Sequence, residues 1–311
     1  MIKAAIDIGT VTTRLLIADC ASGNPDTLEC HQIITNIGEG LTTSGLISDF
    51  AQDRLMHALL RFKEVIGDYE FQYAIDGKGD LSIPVKAVAT SAMRDAANAS
   101  EVLAWLHKYG FNVEVISGTR EAELSFKGTL SGFSSLVEPV MSIDVGGGST
   151  ELILGTSDAT ILNSHSFDIG SRRITEIFLA ADPPSSEQLL AARSWIAEQT
   201  AAVLSAFQQR PSVLIAVAGT ATSAITIRDG ITRYDRALVH GKRLTKAQLE
   251  AIITSLSLLK LEDRKQVPGL DPGRAPVIIG GLITLATLME ALHIDSLVVS
   301  DTDILQGILL A

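Results

Sequence analysis

The sequence is poor in cysteine and in positive charge, and each shortage excludes a class of protein. Its 311 residues include only two cysteines, Cys20 and Cys30, so no disulfide framework is indicated and a reducing cytoplasm is the expected location. Lys and Arg number 25 against 36 Asp and Glu, a formal net charge of −11. Because nucleic acids and anionic membranes are bound by basic faces, we expect neither as a general partner.

The sequence also lacks an apolar run of membrane-spanning length and a zinc-binding motif. The longest apolar run, at 275–289, contains two glycines and falls short of the roughly 20 residues that a span requires, which indicates a buried helix. None of the six histidines stands at metal-ligand spacing from another histidine or a cysteine. The first residues, MIKAAIDIG, lead directly into a predicted strand, so we expect no signal peptide.

The most informative stretch is SIDVGGGSTELIL, at residues 142–154. An apolar run ends at Asp144, three glycines follow, and a second apolar run begins after Glu151. We interpret it as strand–loop–strand, which argues against Rossmann and Walker loops because both need a helix after the glycines. Glycines let an anion approach backbone N–H groups, and the flanking carboxylates can hold Mg²⁺ on that anion. The alternative is a plain β-hairpin without a ligand.

The N-terminus repeats this stretch without a gap. Residues 6–17, IDIGTVTTRLLI, align with residues 143–154, IDVGGGSTELIL, so that Asp matches Asp and the first glycines match. Such a repeat predicts two similar halves. Together with strands that alternate with helices, it predicts an α/β protein whose two duplicated halves face each other across a cleft.

Apolar spacing and turn signals predict the remaining elements. Those that matter below are a turn at 20–30, a strand at 31–37, helices at 48–66, 120–126 and 302–310, and a loop-like basic stretch at 228–243. We place the domain boundary after residue 125, which gives an N-terminal domain at 1–125 and a C-terminal domain at 126–311. A C-terminal helix at about 301–311 could pack back on the first domain.

Several motifs together resemble the exopolyphosphatase and guanosine pentaphosphate phosphatase (Ppx/GppA) family, within the actin-like, ribonuclease H-like superfold. They include AIDIGTVTTRLLIAD, AVATSAMRDAANAS, VISGTREAELSFKG, SIDVGGGSTELILG, IGSRRITEIF and AVAGTATSAITI, in the family's order. DVGGGSTE together with ISGxxEA is specific, whereas DIGT and AGTAT alone indicate only the superfold. The resemblance covers nearly the whole chain and implies the short, two-domain form of the family.

The resemblance implies a hydrolase that releases terminal orthophosphate from inorganic polyphosphate, with Mg²⁺ or Mn²⁺ as cofactor. It makes Glu121 the catalytic base, and we assign Asp7, Asp144 and Glu151 to the metal. The expected phosphate-binding residues are Gly9, Thr10, Thr12, Thr13, Arg94, Gly146, Gly147, Gly148, Ser149, Thr150, Arg173, Gly219 and Thr220. Plainer roles stay open: a turn-bracing carboxylate, a surface salt bridge, or, for Glu121, an exposed residue in a helical first turn.

The sequence departs from the family pattern at three places. Val11 replaces the usual Asn, Arg120 the usual Glu, and Pro276 the usual Asp, which argues against a polar role for residues 274–276. Three other functions stay open: hydrolysis of guanosine pentaphosphate, an ATP-dependent kinase, and non-catalytic binding of polyphosphate or guanosine phosphates, the last motivated by Val11. A homodimer through the second half is compatible with the sequence.

Overall fold

The computed structural model describes residues 1–207 and 209–311 and contains two β-sheets. The first consists of β1 (Ile2–Ile8), β2 (Thr12–Asp19), β3 (Asp26–Ile34), β4 (Val85–Ala89) and β5 (Val113–Val115), in the spatial order β3-β2-β1-β4-β5. The second consists of β6 (Val140–Val145), β7 (Thr150–Gly155), β8 (Ile161–Phe167), β9 (Val213–Val217), β10 (Arg243–Thr245) and β11 (Ser296–Val299), in the order β10-β11-β9-β6-β7-β8.

The helices alternate with these strands along the chain. They are α1 (Leu41–Ser44), α2 (Asp49–Ile75), α3 (Ser91–Asp95), α4 (Ala99–Lys108), α5 (Gly118–Ser131), α6 (Ser171–Phe178), α7 (Ser186–Ala206), α8 (Ala218–Asp229), α9 (Arg236–Val239), α10 (Lys246–Ser257), α11 (Leu261–Arg264), α12 (Ile278–Ala291) and α13 (Ile304–Leu310). The apolar run predicted to be a buried helix is α12, and its first three turns are buried. Among the described residues, no helix has both the length and the apolar character that crossing a membrane requires.

The two sheets follow one plan. In each, the first two strands form an antiparallel hairpin, and the first strand pairs in parallel with the fourth: β1 with β4, and β6 with β9. The hairpin turns also match, since the Gly9 amide donates to the Thr12 carbonyl and the Gly146 amide to the Ser149 carbonyl, both at 3.0 Å. The predicted α/β fold with two duplicated actin-like halves is therefore confirmed. The second sheet adds β10 as an antiparallel edge strand.

The sequence predictions are wrong mainly at the outer strands. β3 begins at Asp26, inside the predicted turn, and β8 was not predicted as a strand. Both strands contain several polar residues and are partly exposed over most of their length, so neither shows the unbroken apolar run of a buried strand. Helix α2 continues to Ile75 beyond the predicted end at 66, which is the position of its last buried residue. The predicted loop at 228–243 contains α9 and the start of β10.

Helix α5 lies between the two sheets. Leu124 belongs to an apolar cluster with residues of β1, β2 and α13, whereas Ala122, Phe126 and Leu130 pack on β6, β7 and β9. Because two of its faces are buried, the helix continues to Ser131 and does not end near 126. The division that we predict after residue 125 falls inside α5, so the two halves share this helix. The division itself stays a prediction.

The C-terminal helix α13 packs on the first half, against α5 and β1. The crossing of α5 and α13 is close because each helix has a glycine at the contact. Gly128 faces the main chain of Asp303, and Gly307 faces the main chain of Leu124. A Cβ at either glycine would overlap a carbonyl group of the opposite segment.

Two side chains tie together the segments that connect the halves. The Thr302 hydroxyl donates to the Thr129 carbonyl at 3.1 Å. His240 Nε2 lies 3.0 Å from the Gly132 carbonyl, and its Nδ1 accepts from the Asp301 amide at 3.2 Å. These partners assign the proton to Nε2, because a carbonyl oxygen can only accept. The chain is therefore anchored both where it leaves α5 and where it enters α13.

We predict that Gly128→Ala lowers the free energy of unfolding by about 1–3 kcal/mol, because the added methyl group overlaps fixed main chain and forces the helices apart. Urea denaturation measures the loss. The matched control is Gly67→Ala in α2, where nothing lies within 4 Å of the added methyl group. That change should be neutral or stabilise the protein by up to about 1 kcal/mol. Equal stability of the two variants would contradict the close crossing.

Candidate functional site

The candidate site lies where the glycine loops of the two hairpins meet. A Cβ at Gly147 would lie 2.7 Å from a methyl group of Val11, and one at Gly148 would lie 3.0 Å from the Thr10 hydroxyl. Residues without side chains therefore let hairpins from opposite halves approach each other closely. Phosphate binding by Gly9, Thr10 and residues 146–148 stays a prediction.

Each hairpin carries an aspartate whose cross-strand neighbour is charged, and the two neighbours differ in sign. Asp7 lies opposite Arg14, whereas Asp144 lies opposite Glu151. Arg14 donates to Asp7 Oδ2 from Nη2 at 2.7 Å and from Nε at 3.2 Å. The first hairpin therefore compensates its own carboxylate, and the second places two carboxylates side by side in a buried position.

The buried carboxyl groups of the second hairpin favour the protonated state. Burial raises the pKa of Asp144 to about 7, and the charge of Asp303 adds to this effect. Burial also raises the pKa of Glu151 well above its ordinary value, with further contributions from Glu121 and Asp144. Hydroxyl groups offset these effects only in part: Ser125 donates to Asp144 at 3.0 Å and Ser166 to Glu151 at 2.7 Å. A bound cation would therefore stabilise this hairpin.

Glu121 lies in the first turn of α5 and is buried, with 8% of the residue exposed. Its Oε2 accepts from Arg94 Nη1 at 2.7 Å, and the same nitrogen donates to the Ile116 carbonyl at 3.0 Å. Burial raises the pKa of Glu121 to about 7, against the opposing charge of Arg94. A carboxyl group with a pKa near neutrality, held in one orientation, can accept a proton from water. The plainer interpretation of an exposed helical residue does not fit this burial.

The carboxylates fit a divalent cation, although not as a preassembled cluster. Among the described residues, no group of three or more His, Cys, Asp and Glu side chains is close enough to share a metal ion. Asp7 Oδ1, however, is buried and has no hydrogen-bond partner, which is uncommon for a carboxylate oxygen. Mg²⁺ needs only one or two carboxylates, because water and phosphate oxygens complete its shell. Asp7 and Asp144, whose charges interact, meet that need.

Several hydroxyls that we expect to bind phosphate already have protein partners. The hydroxyls of Thr13 and Thr35 lie 2.9 Å apart, Thr150 donates to the Ile169 carbonyl at 2.5 Å, and Thr220 donates to the Val145 carbonyl at 2.9 Å. These contacts hold the loops in shape, so the geometry does not support phosphate binding by the hydroxyls of Thr13, Thr150 and Thr220.

Two other expected phosphate-binding residues have different contacts in the structure. Arg173 donates from Nε to the Gly148 carbonyl at 3.1 Å and from Nη2 to Asp95 at 2.5 Å, which links the second half to α3 of the first. Gly219 lies in the first turn of α8, and a Cβ there would overlap the guanidinium of Arg274. Arg173 therefore links the two halves, and Gly219 leaves space for the guanidinium of Arg274.

Arg274 is a cleft residue that the sequence analysis missed. Its Nη2 donates to the Thr12 hydroxyl at 3.0 Å, across the cleft from the second half to the first. Burial lowers its pKa to about 10, and the nearby Arg14 charge acts in the same direction. The prediction that residues 274–276 have no polar role is therefore wrong for Arg274. The departure from the family pattern was misleading. Pro276 replaces an aspartate, but this replacement leaves the guanidinium of Arg274 unaffected.

Asp303 is the second missed residue. Its Oδ2 accepts from Arg14 Nη1, and its Oδ1 accepts from the Leu305 amide at 3.2 Å. In the sequence, Asp303 followed three residues later by Gln306 indicates a helix start. That pattern contains no information about Arg14, which lies 289 residues away in the chain.

Comparisons with known proteins identify the family that the chain resembles over nearly its whole length. The chain matches the model of the Ppx/GppA phosphatase family over residues 16–311. It is 34% identical to Exopolyphosphatase 2 of Mycobacterium tuberculosis, over 99% of this chain and 97% of that protein. It superposes with a TM-score of 0.88 on an exopolyphosphatase from Cytophaga hutchinsonii, at 25% identity over 99% and 96% of the two chains. A Ppx/GppA family member from Aquifex aeolicus superposes with a TM-score of 0.79, at 28% identity over 100% and 96% of the chains.

We predict that, without divalent cations, the free energy of unfolding falls as pH rises from about 4 to about 7. The pKa of Glu121 and of Asp144 is about 7 in the folded protein, against roughly 4 in an unfolded chain. The folded protein therefore binds more protons in this window, and its stability decreases as they dissociate.

Added Mg²⁺ should consequently raise the melting temperature more at pH 8 than at pH 5, in a thermal denaturation series. NaCl at equal ionic strength is the control for screening. The Asp144→Asn variant should show a smaller difference between the two pH values. Equal Mg²⁺ shifts at pH 5 and pH 8 would contradict cation binding at these carboxylates.

Proposed function

Because this chain belongs to the Ppx/GppA phosphatase family, we propose that it is an exopolyphosphatase, which hydrolyses the terminal phosphoanhydride bond of inorganic polyphosphate. The observation that carries the proposal is Glu121, a buried carboxyl group held by Arg94 at the edge of the cleft, with its pKa raised to about 7. Phosphoryl transfer to water needs a positioned nucleophile and compensated charge more than covalent catalysis.

Glu121 acts as the base in this proposal. One of its oxygens is fixed by Arg94, and the carboxylate orients a water molecule toward the terminal phosphorus. As the water oxygen bonds to phosphorus, its proton passes to Glu121. The bond from phosphorus to the bridging oxygen breaks, and its electron pair stays on the shortened polyphosphate. Orthophosphate and a chain one phosphate shorter are the products.

The cleft must also bind a polyanion in a protein of net charge −11. Arg274 supplies a buried guanidinium whose hydrogen-bond partner is the neutral Thr12 hydroxyl, so its charge is available to a phosphate. Asp7 and Asp144 would hold Mg²⁺ or Mn²⁺, with Glu151 next to Asp144. The cation, when bound, would neutralise phosphate oxygens and stabilise the charge that develops on them.

Hydrolysis of guanosine pentaphosphate is the second candidate function, because the family description covers both Ppx and GppA phosphatases. The terminal bond and the attacking water are of the same kind in both reactions, so the residues would have the same roles. Only the recognition of the remainder of the substrate differs.

We predict that Glu121→Gln folds normally and loses phosphate release by about 10²- to 10⁴-fold, because an amide cannot accept the proton from water. Initial rates with saturating polyphosphate and Mg²⁺ measure the loss. The matched control is Glu123→Gln, which changes an exposed glutamate of the same helix that pairs with Arg120. It should retain the wild-type rate. A near-normal rate for Glu121→Gln would rule out this residue as the base.

The substrate is tested by orthophosphate release from short polyphosphate, guanosine pentaphosphate and ATP in parallel, each with Mg²⁺ and with EDTA. We expect metal-dependent release from polyphosphate, which would be lost in Glu121→Gln. Release mainly from guanosine pentaphosphate would transfer the function to the second candidate with the same residues. Tight binding without release from any of the three would favour a binding protein, with Val11 as the first residue to restore to Asn.

A further inference from the structure

We propose that Asp303 is a positioning residue for Asp7, which acts through Arg14 and sets the orientation of the Asp7 carboxylate toward the divalent cation. The inference deepens the proposed function, because it concerns how the expected cation site is held. It adds a residue from the C-terminal segment to a site that the two hairpins otherwise form.

The first argument is the geometry of the Arg14 guanidinium. Its Nη1 donates to Asp303 Oδ2, while Nη2 and Nε both donate to Asp7 Oδ2, at 2.7 and 3.2 Å. A guanidinium is a planar, rigid fork, so a carboxylate at one end fixes where the other end points. Nη2 and Nε of Arg14 therefore donate to the same oxygen of Asp7. The other oxygen, Oδ1, stays buried without a partner and is free to bind a cation.

The second argument is the balance of charge. If Arg14 paired with Asp7 alone, the two charges would cancel and the first hairpin would attract a cation weakly. Asp303 shares the guanidinium, so that two buried carboxylates surround one positive charge. The opposite hairpin carries Asp144, and its glycine loop meets the loop that follows Asp7. A cation between the halves would therefore be attracted by the surplus negative charge on one side and by Asp144 on the other.

The third argument is where Asp303 lies in the fold. It is the last residue of the segment that connects β11 of the second sheet with α13, and α13 packs on α5. Asp303 is held in place by its capping bonds, since its side chain accepts from the Leu305 amide and its own amide donates to Gln306. Arg14 is thereby linked to the helix pair that also carries Glu121. The cation-binding carboxylate and the proposed base thus share one rigid support.

The alternative is that Asp303 only caps α13, and Asp303→Asn separates the two roles. Asparagine is as good an N-cap as aspartate, so its oxygen keeps the bond from the Leu305 amide. Its NH2 group, which is a donor, then replaces the oxygen that accepts from Arg14, so that both this contact and the negative charge are lost. We expect the Mg²⁺ concentration that gives half of the thermal shift, measured without substrate, to rise by about 10- to 100-fold. The Mg²⁺ concentration for half-maximal phosphate release should rise in parallel.

Two further variants make the test specific. Ser185→Ala removes the capping box of α7, a helix that carries none of the site residues. This variant should lower the melting temperature, because a cap is lost. It should leave unchanged the Mg²⁺ concentration that gives half of the thermal shift (the Mg²⁺ midpoint), because a purely structural cap does not affect cation binding. Asp303→Ser keeps a capping hydroxyl but cannot reach Arg14, so its Mg²⁺ midpoint should rise at least as far as that of Asp303→Asn.

The outcomes separate this inference from the proposed function. A wild-type Mg²⁺ midpoint in both Asp303 variants would overturn it, even if their melting temperatures fell. The absence of any Mg²⁺ or Mn²⁺ shift in the wild type would overturn it as well. If the wild type releases no phosphate from any substrate but the Mg²⁺ midpoint still rises in Asp303→Asn, the proposed function fails and the positioning role of Asp303 holds.

Discussion

Helix α5 packs on both sheets at once, and the geometry of the cleft depends on that double burial. Its first turn carries Glu121, and its second turn carries Ser125, which donates to Asp144. A helix that is buried on two faces cannot move toward one sheet without opening a void against the other, because interiors are close-packed. The position of Glu121 relative to the second hairpin is therefore set by core packing. Rigid support of this kind holds site residues more accurately than loops do.

The duplication provides two equivalent hairpins, which differ chemically because the residue opposite the aspartate has the opposite charge in each. The residue opposite the aspartate is Arg14 in the first hairpin and Glu151 in the second. The first is therefore close to neutral, apart from the contribution of Asp303, and the second holds an excess of buried negative charge. This asymmetry gives the cleft one hairpin that supplies only carboxylates, and another in which Arg14 also supplies positive charge.

Several buried charged groups of the cleft reduce the stability of the folded protein when no ligand is bound. Burial raises the pKa of Glu121, Asp144 and Glu151, which means that their ionised forms lack sufficient compensation. Asp7 Oδ1 is left without a partner, and the guanidinium of Arg274 is desolvated. A bound cation would supply positive charge to the carboxylates, and a bound phosphate chain would supply negative charge to Arg274. Functional sites commonly retain local instability of this kind, which the ligand relieves.

By itself, the sequence indicated the duplicated α/β fold, the paired hairpins and their carboxylates Asp7, Asp144 and Glu151, because repeats, glycine loops and apolar runs are local patterns. Glu121 was predicted from the motif ISGxxEA, through the family resemblance. The sequence did not reveal where the partly exposed strands β3 and β8 lie, because their polar residues interrupt the apolar pattern of a strand. Only the tertiary structure decided the partners of the cleft residues. Arg94 and Glu121 are 27 residues apart, Thr12 and Arg274 are 262 apart, and Arg14 and Asp303 are 289 apart. No local spacing encodes such pairs, since they exist only when packing brings distant segments of the chain together.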